Sequence, residues 1–598
     1  MSLPLPILTT VLAWLSLCLA SQTPQAAETE PPLLEKYDYI IVGAGSAGSV
    51  MANRLSKENK YSVLLLEAGD EMTPELFVPF MAPFSANENN SWGYETEPQR
   101  YALWSFPGYK GPITQGKVMG GTSSLNSMNY VRGNHRDFDK WETEYGAKGW
   151  KFRDVLPHFK AIENFTVPNV TQEEIREYHG VQGETPVNYP SYHTAVSNAF
   201  LEACNEAKYE YVDYNGAKES GYSRVQANTA GGIRMGADTC FLKFWLPYLK
   251  KLHISKKSIV TEILINDKNE ATGVKFLKEG TEKVVQVMRE VILCAGAIGS
   301  PKLLMLSGVG PRDHLEKLGI KVKVELPVGE HLQDHFVFAG IVVKTKDDLI
   351  GLRNINQSIV EYNRSRTGLL TIPGAFEAVL FTHSGVGEVE NDYPDIETEL
   401  AAVFPNEKIA SSPYVTEDIY KEYYQPMLNY NGFMCAVALV QPESRGFMRL
   451  NSANPMDRPR IHPNFLDIAT HDLSRIVNGT MKVLQLFKTE AMRKIEAELW
   501  PLPFPRCKQF EPWTEPYVTC LIQHTAFPGQ HVCCTCPMGT GERAVVDENL
   551  RVRGVKYLRV VDSSVMPTII AGNTNAAVMM TANKGAEMIL KDADNMVH

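Results

Sequence analysis

Residues 36–69 read KYDYIIVGAGSAGSVMANRLSKENKYSVLLLEAG and decide the fold of the first part of the chain. Tyr37–Val42 is apolar and rich in β-branched residues, which is typical of a buried parallel strand. A glycine-rich turn, a helical stretch and a second apolar strand follow, and that strand ends at Glu67. The turn has the spacing G-x-G-x-x-G, at Gly43, Gly45 and Gly48. This order of elements predicts a Rossmann-like unit that binds a dinucleotide.

Each position of this unit has a predicted task. Gly43 permits the tight turn, Gly45 lets the backbone approach a pyrophosphate, and Gly48 lets the helix pack closely on the strand. Glu67 accepts hydrogen bonds from the adenosine ribose. The amides at the start of the helix point at the pyrophosphate, and the residues there are Ser46 and Ala47. An ordinary glycine turn is the alternative, and the motif alone does not separate NAD from FAD.

The size and composition of the chain limit the classes of protein to which it can belong. With 598 residues it is long enough for several domains and a large core. Its hydrophobic content of 44% and charged content of 21% are ordinary for a globular protein. The net charge of −10 argues against a nucleic-acid partner, because phosphate binding needs a basic face. Small neutral or cationic substrates remain compatible with this charge.

The amino-terminal segment predicts export. Within residues 1–20, Ile7–Ala20 is an apolar run that is too short to span a bilayer. It ends in small residues before Ser21, which suits a cleaved signal peptide over residues 1–20. A retained anchor is the alternative. Residues 21–35 are a polar leader, and no later segment has the length of a transmembrane helix. We therefore predict a secreted, extracellular protein, and six N-x-S/T sequons that fit glycosylation agree with it: Asn89, Asn164, Asn169, Asn356, Asn363 and Asn478.

The cysteines also fit an oxidising compartment. Removal of Cys18 with the signal peptide leaves nine of the ten cysteines, so at least one thiol is free or pairs with another molecule. Cys507 and Cys520 flank a short loop and are the best candidates for a disulfide. Two buried thiols are the alternative.

Residues 116–134, GKVMGGTSSLNSMNYVRGN, join a Gly-Gly pair to several small polar residues. The glycines let the backbone lie close to a flat ligand, and the polar side chains offer hydrogen-bond partners. The segment resembles the first signature of the glucose–methanol–choline oxidoreductases, a family of FAD-dependent enzymes. Met119 stands where a branched aliphatic residue is more usual. The matching positions are Gly116, Lys117, Gly120, Gly121, Thr122, Ser123, Leu125, Asn126, Tyr130 and Gly133.

The resemblance implies that this segment contacts FAD, at Val118, Gly121 and Asn126. Some relatives attach FAD covalently through a His immediately before the Asn. Leu125 occupies that place here. The resemblance therefore implies a non-covalently bound FAD.

Three further parts of the chain are assigned to the cofactor. Residues 290–310, EVILCAGAIGSPKLLMLSGVG, match the family's second signature as a strand, a turn of small residues and a helix opened by Pro301. The resemblance places Val260 at the adenine end of FAD. Asp562 and Ser563 follow a strand near the carboxyl terminus, where Asp562 is suited to bind a ribityl hydroxyl or a backbone group near the flavin.

The predicted fold class is α/β, with a Rossmann-like FAD-binding domain intertwined with a substrate domain. Residues 36–335 form the FAD-binding region, with an excursion into the substrate domain at 150–217. The substrate domain, 336–516, is built on a largely antiparallel sheet with helices. Residues 517–598 return to the FAD domain and carry the catalytic residues.

The resemblance places catalysis on a His that opens an H-x-x-G-T pattern and on a second residue, His or Asn. These are His531 and Asn573 in this sequence. A His of near-neutral pKa can take the proton of an alcohol, and Asn573 can orient the alcohol oxygen. His524 competes for the role but lies outside the pattern.

One residue departs from that pattern. Cys534 replaces its usual glycine, and a cysteine would be strained if the position needs a positive φ. A metal site is not predicted, because the cysteines beside His531 are spaced too tightly for zinc.

The sequence thus predicts an FAD-dependent enzyme that oxidises a small-molecule alcohol to a carbonyl and passes electrons to an acceptor, oxygen or a quinone. The sequence as a whole resembles secreted arthropod members of this family, of the glucose dehydrogenase type. Two alternatives stay open. The chain could be a lyase-type member of the family, or a flavin-binding paralogue with little redox turnover, for which Cys534 is the motivating residue.

Overall fold

Two seven-stranded sheets form the framework of the chain. The computed structural model describes residues 31–387, 390, 392–406 and 413–595, so the predicted signal peptide, 1–20, and most of the leader lie outside the described residues. In chain order, the strands of the two sheets are β1 (Lys36–Val42), β2 (Val63–Leu66), β3 (Gly221–Arg224), β4 (Leu252–Ser255), β5 (Ser258–Ile265), β6 (Ala271–Lys278), β7 (Thr281–Leu293), β8 (Phe336–Thr345), β9 (Phe376–Thr382), β10 (Ile396–Ala401), β11 (Asn431–Leu439), β12 (Glu498–Leu499), β13 (Phe527–Pro528) and β14 (Leu558–Val560).

Helices cover the first sheet and flank the second. The α-helices of five residues or more in the described part of the chain are α1 (Ser46–Ser56), α2 (His135–Thr143), α3 (Phe152–Ile162), α4 (Gln172–Tyr178), α5 (Ala195–Glu206), α6 (Gly296–Leu306), α7 (Arg312–Lys317), α8 (Ile355–Ser365), α9 (Asp472–Val483), α10 (Glu490–Lys494), α11 (Glu515–Thr525) and α12 (Asn575–Asn595).

The first sheet has the strand order β4-β2-β1-β7-β6-β5, and β14 also pairs with β7. Strands β4, β2, β1, β7 and β14 run parallel, and β5 to β7 form an antiparallel meander. All four residues of β2 are buried, as expected of a parallel strand covered on both faces. Helices α1 and α12 pack against each other over this sheet. The predicted Rossmann-like α/β unit is confirmed.

The second sheet has the order β12-β8-β11-β10-β9-β3, with β13 also pairing with β8. Every one of these pairings is antiparallel. The predicted antiparallel substrate sheet is therefore confirmed. Its strands place one face toward the first sheet, and the functional cavity lies between the two.

The two domains intertwine, and the segment 150–217 contacts both of them. Helix α3, within that range, packs on α12 of the cofactor domain. Helix α5 packs on β9, and β3, which follows the predicted range, pairs with β9. Strand β13 lies in the predicted carboxyl-terminal segment but pairs with β8 of the substrate sheet. The chain thus returns to the cofactor sheet only after Pro528.

The predicted disulfide is present. Cys507 and Cys520 are bonded, with an Sγ–Sγ distance of 2.05 Å. Cys520 lies in α11, so the bond ties this helix to the loop before it. Seven other described cysteines are free and buried. Within the described residues, the search for membrane spans finds no helix with the length and hydropathy to cross a bilayer.

Candidate active site

A cavity of about 1160 Å³ lies between the two sheets. Small-molecule pockets usually measure about 300–1,000 Å³, so this volume accommodates a dinucleotide together with a small substrate. The glycine loop after β1 lines one side of the cavity, and β8 to β11 line the other. The carboxyl ends of the parallel strands face it, which is where α/β sheets bind ligands.

The glycine loop leaves room for a ligand at the predicted place. Gly43 has φ +99°, and a Cβ there would lie 2.6 Å from the carbonyl oxygen of Cys294. A Cβ at Gly48 would lie 1.8 Å from the carbonyl oxygen of Gly43, so α1 packs directly on the turn. A Cβ at Gly45 would meet nothing nearer than Cα of Gly121, at 3.8 Å. Gly45 therefore faces open cavity, where a pyrophosphate can approach the backbone.

Glu67 lies at the end of β2 and lines the cavity. Its Oε2 accepts a hydrogen bond of 2.8 Å from the amide of Ala44, and its Oε1 accepts one of 2.8 Å from the amide of Gly69. Burial raises the pKa of this carboxyl to about 7. Each carboxylate oxygen still has a second lone pair, so the predicted contact with ribose hydroxyls remains available.

The other predicted cofactor residues divide into two groups. Val118 and Gly48 are buried and do not line the cavity. The residues that do line it are Gly43, Gly45, Ser46, Ala47, Glu67, Gly121, Asn126, Val260, Asp562 and Ser563.

Asp562 holds the loop around the cavity together. Its Oδ2 accepts hydrogen bonds from the amide of Gly296 (2.9 Å) and the hydroxyl of Ser300 (2.5 Å). Its Oδ1 accepts from the amide (2.9 Å) and hydroxyl (2.6 Å) of Ser564. With four donors already in place, the carboxylate has little capacity left for a ribityl hydroxyl, and the backbone contact is the predicted role that fits better.

Two helix amino termini meet at the cavity. Ser46, at the start of α1, donates a hydrogen bond of 2.6 Å from Oγ to Oδ1 of Asn575, at the start of α12. Helix α1 has no side-chain cap, so its first-turn amides are free to bind an anion. The positive ends of the two helix dipoles thus converge where a pyrophosphate and an anionic reduced flavin would be stabilised.

The structure brings His531 and Asn573 together at the cavity wall. Nε2 of His531 lies 3.3 Å from Nδ2 of Asn573. Nδ1 of His531 lies 2.9 Å from Nδ1 of His335, and Nε2 of His335 lies 3.0 Å from the carbonyl oxygen of Ile570. His524, the competing candidate, also lines the cavity but bonds Oγ of Ser105 at 2.8 Å.

This hydrogen-bond chain assigns the protons on both rings. A carbonyl oxygen only accepts, so Nε2 of His335 carries a proton and its Nδ1 accepts the proton of Nδ1 in His531. Nε2 of His531 is then the unprotonated nitrogen and accepts from the amide of Asn573. Burial lowers the pKa of His531 to about 4 and that of His335 well below its ordinary value. His531 is therefore a neutral base whose lone pair faces the cavity.

His335 is a functional residue that the sequence reasoning missed. Its segment, PVGEHLQDH, suggested a turn with no part in catalysis. Gln333 and Cys533 form an antiparallel bridge, with hydrogen bonds of 3.0 and 3.3 Å between their backbones. Because the pairing is antiparallel, two residues after Gln333 and two residues before Cys533 this register puts His335 opposite His531. A His close after a Gln offered a weak signal, but nothing in the sequence indicated the pairing.

Cys534 occupies the strained backbone that its position in the pattern indicated. Its φ is +71°, in the left-handed region that favours glycine. Its Sγ lies 2.7 Å from Sγ of Cys533, and both side chains are fully buried. The loop nevertheless keeps His531 in place, since the amide of His531 donates a 2.6 Å hydrogen bond to Oδ1 of Asp334.

Because the backbone at Cys534 is left-handed, we expect the glycine variant to be more stable than the alanine variant, the reverse of the usual order. At an ordinary position alanine is more stable than glycine, whereas at φ > 0 it pays a steric cost of about 1–2 kcal/mol. The Cys534→Gly variant should therefore resist urea better than Cys534→Ala by about 1 kcal/mol. Urea unfolding of both variants, followed by fluorescence, measures this difference. Equal or greater stability of Cys534→Ala would show that the strain is absent.

Comparison with known proteins agrees with this architecture. Two family models described as GMC oxidoreductase match residues 37–337 and 442–582. The glucose dehydrogenase [FAD, quinone] of Drosophila melanogaster is 33% identical over 570 residues, which are 93% of this chain and 87% of the relative. The oxygen-dependent choline dehydrogenase of Sinorhizobium fredii is 34% identical over 567 residues, 92% of this chain and 95% of the relative.

A solved structure is similar over nearly the same range. Pyridoxine 4-oxidase from Mesorbium loti superposes with a TM-score of 0.78 at 28% sequence identity. The similarity covers 92% of this chain and 98% of that one. The fold of the whole described chain is thus that of known flavoenzymes.

Proposed function

The chain belongs to the GMC oxidoreductase family, and we propose that His531 and Asn573 carry its reaction, the oxidation of an alcohol to a carbonyl. It is an FAD-dependent oxidoreductase acting on CH–OH donors. The observation that carries the catalytic assignment is the lone pair of His531 Nε2, which faces the cavity and is oriented by His335. The match with arthropod relatives of the glucose dehydrogenase type bears out the predicted resemblance.

The residues of the site fit FAD and divide its tasks. Gly45 and the free amides of α1 would hold the pyrophosphate of FAD, and Glu67 would bind its ribose. FAD bound in this cavity supplies the acceptor for the hydride that leaves the alcohol carbon. Leu125 lines the cavity and has no group that could bond to a flavin, which supports non-covalent binding.

His531 and Asn573 act on the alcohol group. The alcohol hydroxyl donates to Nε2 of His531, which takes the proton as the carbon–hydrogen bond breaks. Nδ2 of Asn573 donates to the alcohol oxygen and fixes its direction. Oδ1 of Asn573 is buried and has no hydrogen-bond partner among the described residues. The proton stays on His531, and the charge is shared with His335 through the Nδ1–Nδ1 hydrogen bond.

The chain is further proposed to act outside the cell, with oxygen or a quinone as the electron acceptor. The predicted signal peptide supports export, and so does the disulfide, since disulfides persist in oxidising compartments. Among the six sequons, three asparagines are exposed and open to glycosylation: Asn89, Asn169 and Asn356. The name of the Drosophila relative includes quinone, which supports that acceptor.

The low pKa of His531 predicts an unusual pH profile. A base acts when it is unprotonated, and burial lowers the pKa of His531 to about 4, so the base stays available down to that pH. For an uncharged alcohol, we expect kcat/KM to be flat between pH 6 and pH 8 and to fall only as the pH approaches about 4. Steady-state rates across that range give the profile. An acid limb near pH 6.5, the ordinary histidine value, would contradict the assignment.

A panel of alcohols under anaerobic conditions tests the proposed function. Each alcohol is mixed with the secreted FAD-loaded protein, and loss of the flavin absorbance band identifies a substrate. Admission of air or of a quinone then distinguishes the two acceptors by which one restores the band. A bound flavin that no alcohol reduces would favour the paralogue with little turnover.

A further inference from the structure

A pair of acidic side chains lines the cavity at a distance from the two histidines. Glu397 and Glu399 lie on one face of β10, because alternate residues of a strand point to the same side. Both line the cavity. Asn129 contacts the pair, with its Nδ2 donating to Oε1 of Glu399. The reaction proposed above uses none of these three residues.

Two acceptor atoms in this group have no donor. Glu397 is 3% exposed and its Oε1 has no hydrogen-bond partner among the described residues. Asn129 is 6% exposed, and its Oδ1 also has no partner there. An unpaired buried acceptor is costly, so native proteins pair such atoms with protein, water or ligand. Both residues line the cavity.

The pair also lacks a compensating positive charge. No lysine, arginine or histidine of the described chain forms an ion pair with either carboxyl. The residues paired with the two glutamates on the neighbouring strands are apolar. They are Phe381 and Val379 on β9, and Ala438 and Ala436 on β11.

The titratable groups that face Glu397 from other segments are acidic. They are Glu219 and Tyr214, and burial raises the pKa values of both well above their ordinary values. Burial and mutual repulsion raise the pKa of Glu397 well above its ordinary value, and burial raises that of Glu399 to about 7. Ionisation of the pair therefore creates a negative charge that no ion pair among the described residues balances.

We propose that Glu397, Glu399 and Asn129 bind a primary ammonium group of the substrate, so that the alcohol oxidised is an amino alcohol. This assignment rests on the function proposed above. An ammonium group has three donors and no acceptor, and three acceptor groups surround this position. A hydroxyl has a single donor, a trimethylammonium group has none, and a carboxylate is repelled.

The register of the sheet gives the separation between Glu397 and the strand that follows His335. Glu397 is paired with Ala438, and Ala438 is paired with Val337. Two strand spacings therefore separate Glu397 from Val337, a distance of about 10 Å. Val337 lies two residues beyond His335, which contacts the catalytic His531. Probes with a six-carbon chain, which is of comparable length, are therefore used in the tests below.

A binding experiment tests this subsite without turnover. The FAD-loaded full chain is titrated by calorimetry with hexylamine, with N,N,N-trimethylhexylammonium and with hexanoate. We expect hexylamine to bind at least about tenfold more tightly than either of the others, because only it supplies three donors. Equal binding of the trimethylammonium compound would overturn the proposal, since charge without hydrogen bonds would then be sufficient.

The pH dependence of the same titration gives a second test. A cationic ligand prefers the ionised pair, so hexylamine binding should strengthen from pH 6 to pH 8, as the pair loses its proton. The amine stays protonated throughout, because its pKa is near that of lysine. A binding constant that does not change over this range would count against the carboxyl pair.

Substitutions of the two glutamates test whether these residues cause the preference for hexylamine. Glu397→Gln keeps the shape of the side chain and should remove most of the preference for hexylamine over hexanoate, and Glu399→Gln should reduce it. The matched control is Glu377→Gln on β9, because Glu377 is also buried but bonds Thr194 and does not line the cavity. An unchanged preference in Glu397→Gln, with flavin still bound, would contradict the assignment.

Turnover separates failure of the subsite from failure of the proposed function. 1-Hexanol and 6-amino-1-hexanol are compared by anaerobic flavin reduction. We expect kcat/KM to be at least about tenfold higher for the amino alcohol. Reduction by both at equal efficiency would refute the ammonium subsite and leave the function standing. Tight amine binding with reduction by neither would support the subsite and refute the function.

Discussion

Replacement of His531 by alanine should lower the rate constant of flavin reduction by an alcohol about 100-fold or more. Nε2 of this residue is the unprotonated nitrogen at the cavity wall, and general-base catalysis typically contributes about 100- to 10,000-fold. The substitution removes a side chain without adding bulk, so flavin content should not change. Stopped-flow absorbance under anaerobic conditions measures the rate constant directly.

His524 supplies the control for this prediction. It lines the same cavity, but its ring nitrogen is bound to Ser105 and its ring lies edge-on to Trp104. His524→Ala should therefore reduce the rate constant far less than His531→Ala does. A comparable loss in both variants would mean that shape of the cavity, and not the base, determines the rate. A larger loss at His524 would transfer the catalytic role to that residue.

Substitution of Gly45 by valine should abolish FAD binding while the chain still folds. A Cβ at Gly45 meets no protein atom closer than 3.8 Å, so the side chain would project into the cavity where the pyrophosphate approaches the backbone. We expect less than about a tenth of the flavin content of the unchanged protein, because the valine side chain would occupy the space in which the pyrophosphate meets the loop amides. The ratio of flavin to protein absorbance after purification gives the result.

The neighbouring glycine distinguishes loss of the cofactor from loss of the fold. A Cβ at Gly48 would lie 1.8 Å from a backbone oxygen, so Gly48→Ala should misfold or fail to be exported. The two glycines are only three positions apart in the sequence, but the substitutions should have different effects. The first should remove the cofactor, and the second should disrupt the fold. A Gly45→Val protein that keeps its full flavin content would show that the cofactor does not approach the loop there.

The fold could be predicted from local patterns because those patterns are strong. The glycine spacing, the apolar strands and the second signature each indicated the cofactor domain, and the parallel sheet confirms it. The disulfide at Cys507 followed from a short loop between two cysteines. Cys534 replaces the glycine of the H-x-x-G-T pattern, which predicts a strained backbone at this position. The structure agrees, since the φ of Cys534 is +71°, in the left-handed region that favours glycine.

The rest of the site depends on contacts between distant segments, which sequence patterns do not reveal. His335 and His531 are 196 positions apart and meet only because Gln333 pairs with Cys533. In the sequence, nothing distinguishes Glu397 and Glu399 from ordinary strand residues. Only the structure shows that both line the cavity. Solvent-facing acids and cavity-facing acids have the same alternation in a sequence, so the face of the strand must be seen in the structure.

The measurement that tests the central claim most directly is a single anaerobic turnover of the FAD-loaded protein with an alcohol that it accepts. The account predicts one carbonyl product for each flavin whose absorbance band is lost, because every proton taken by His531 accompanies one hydride lost from carbon. Product formed without loss of the band would contradict the account and identify a lyase.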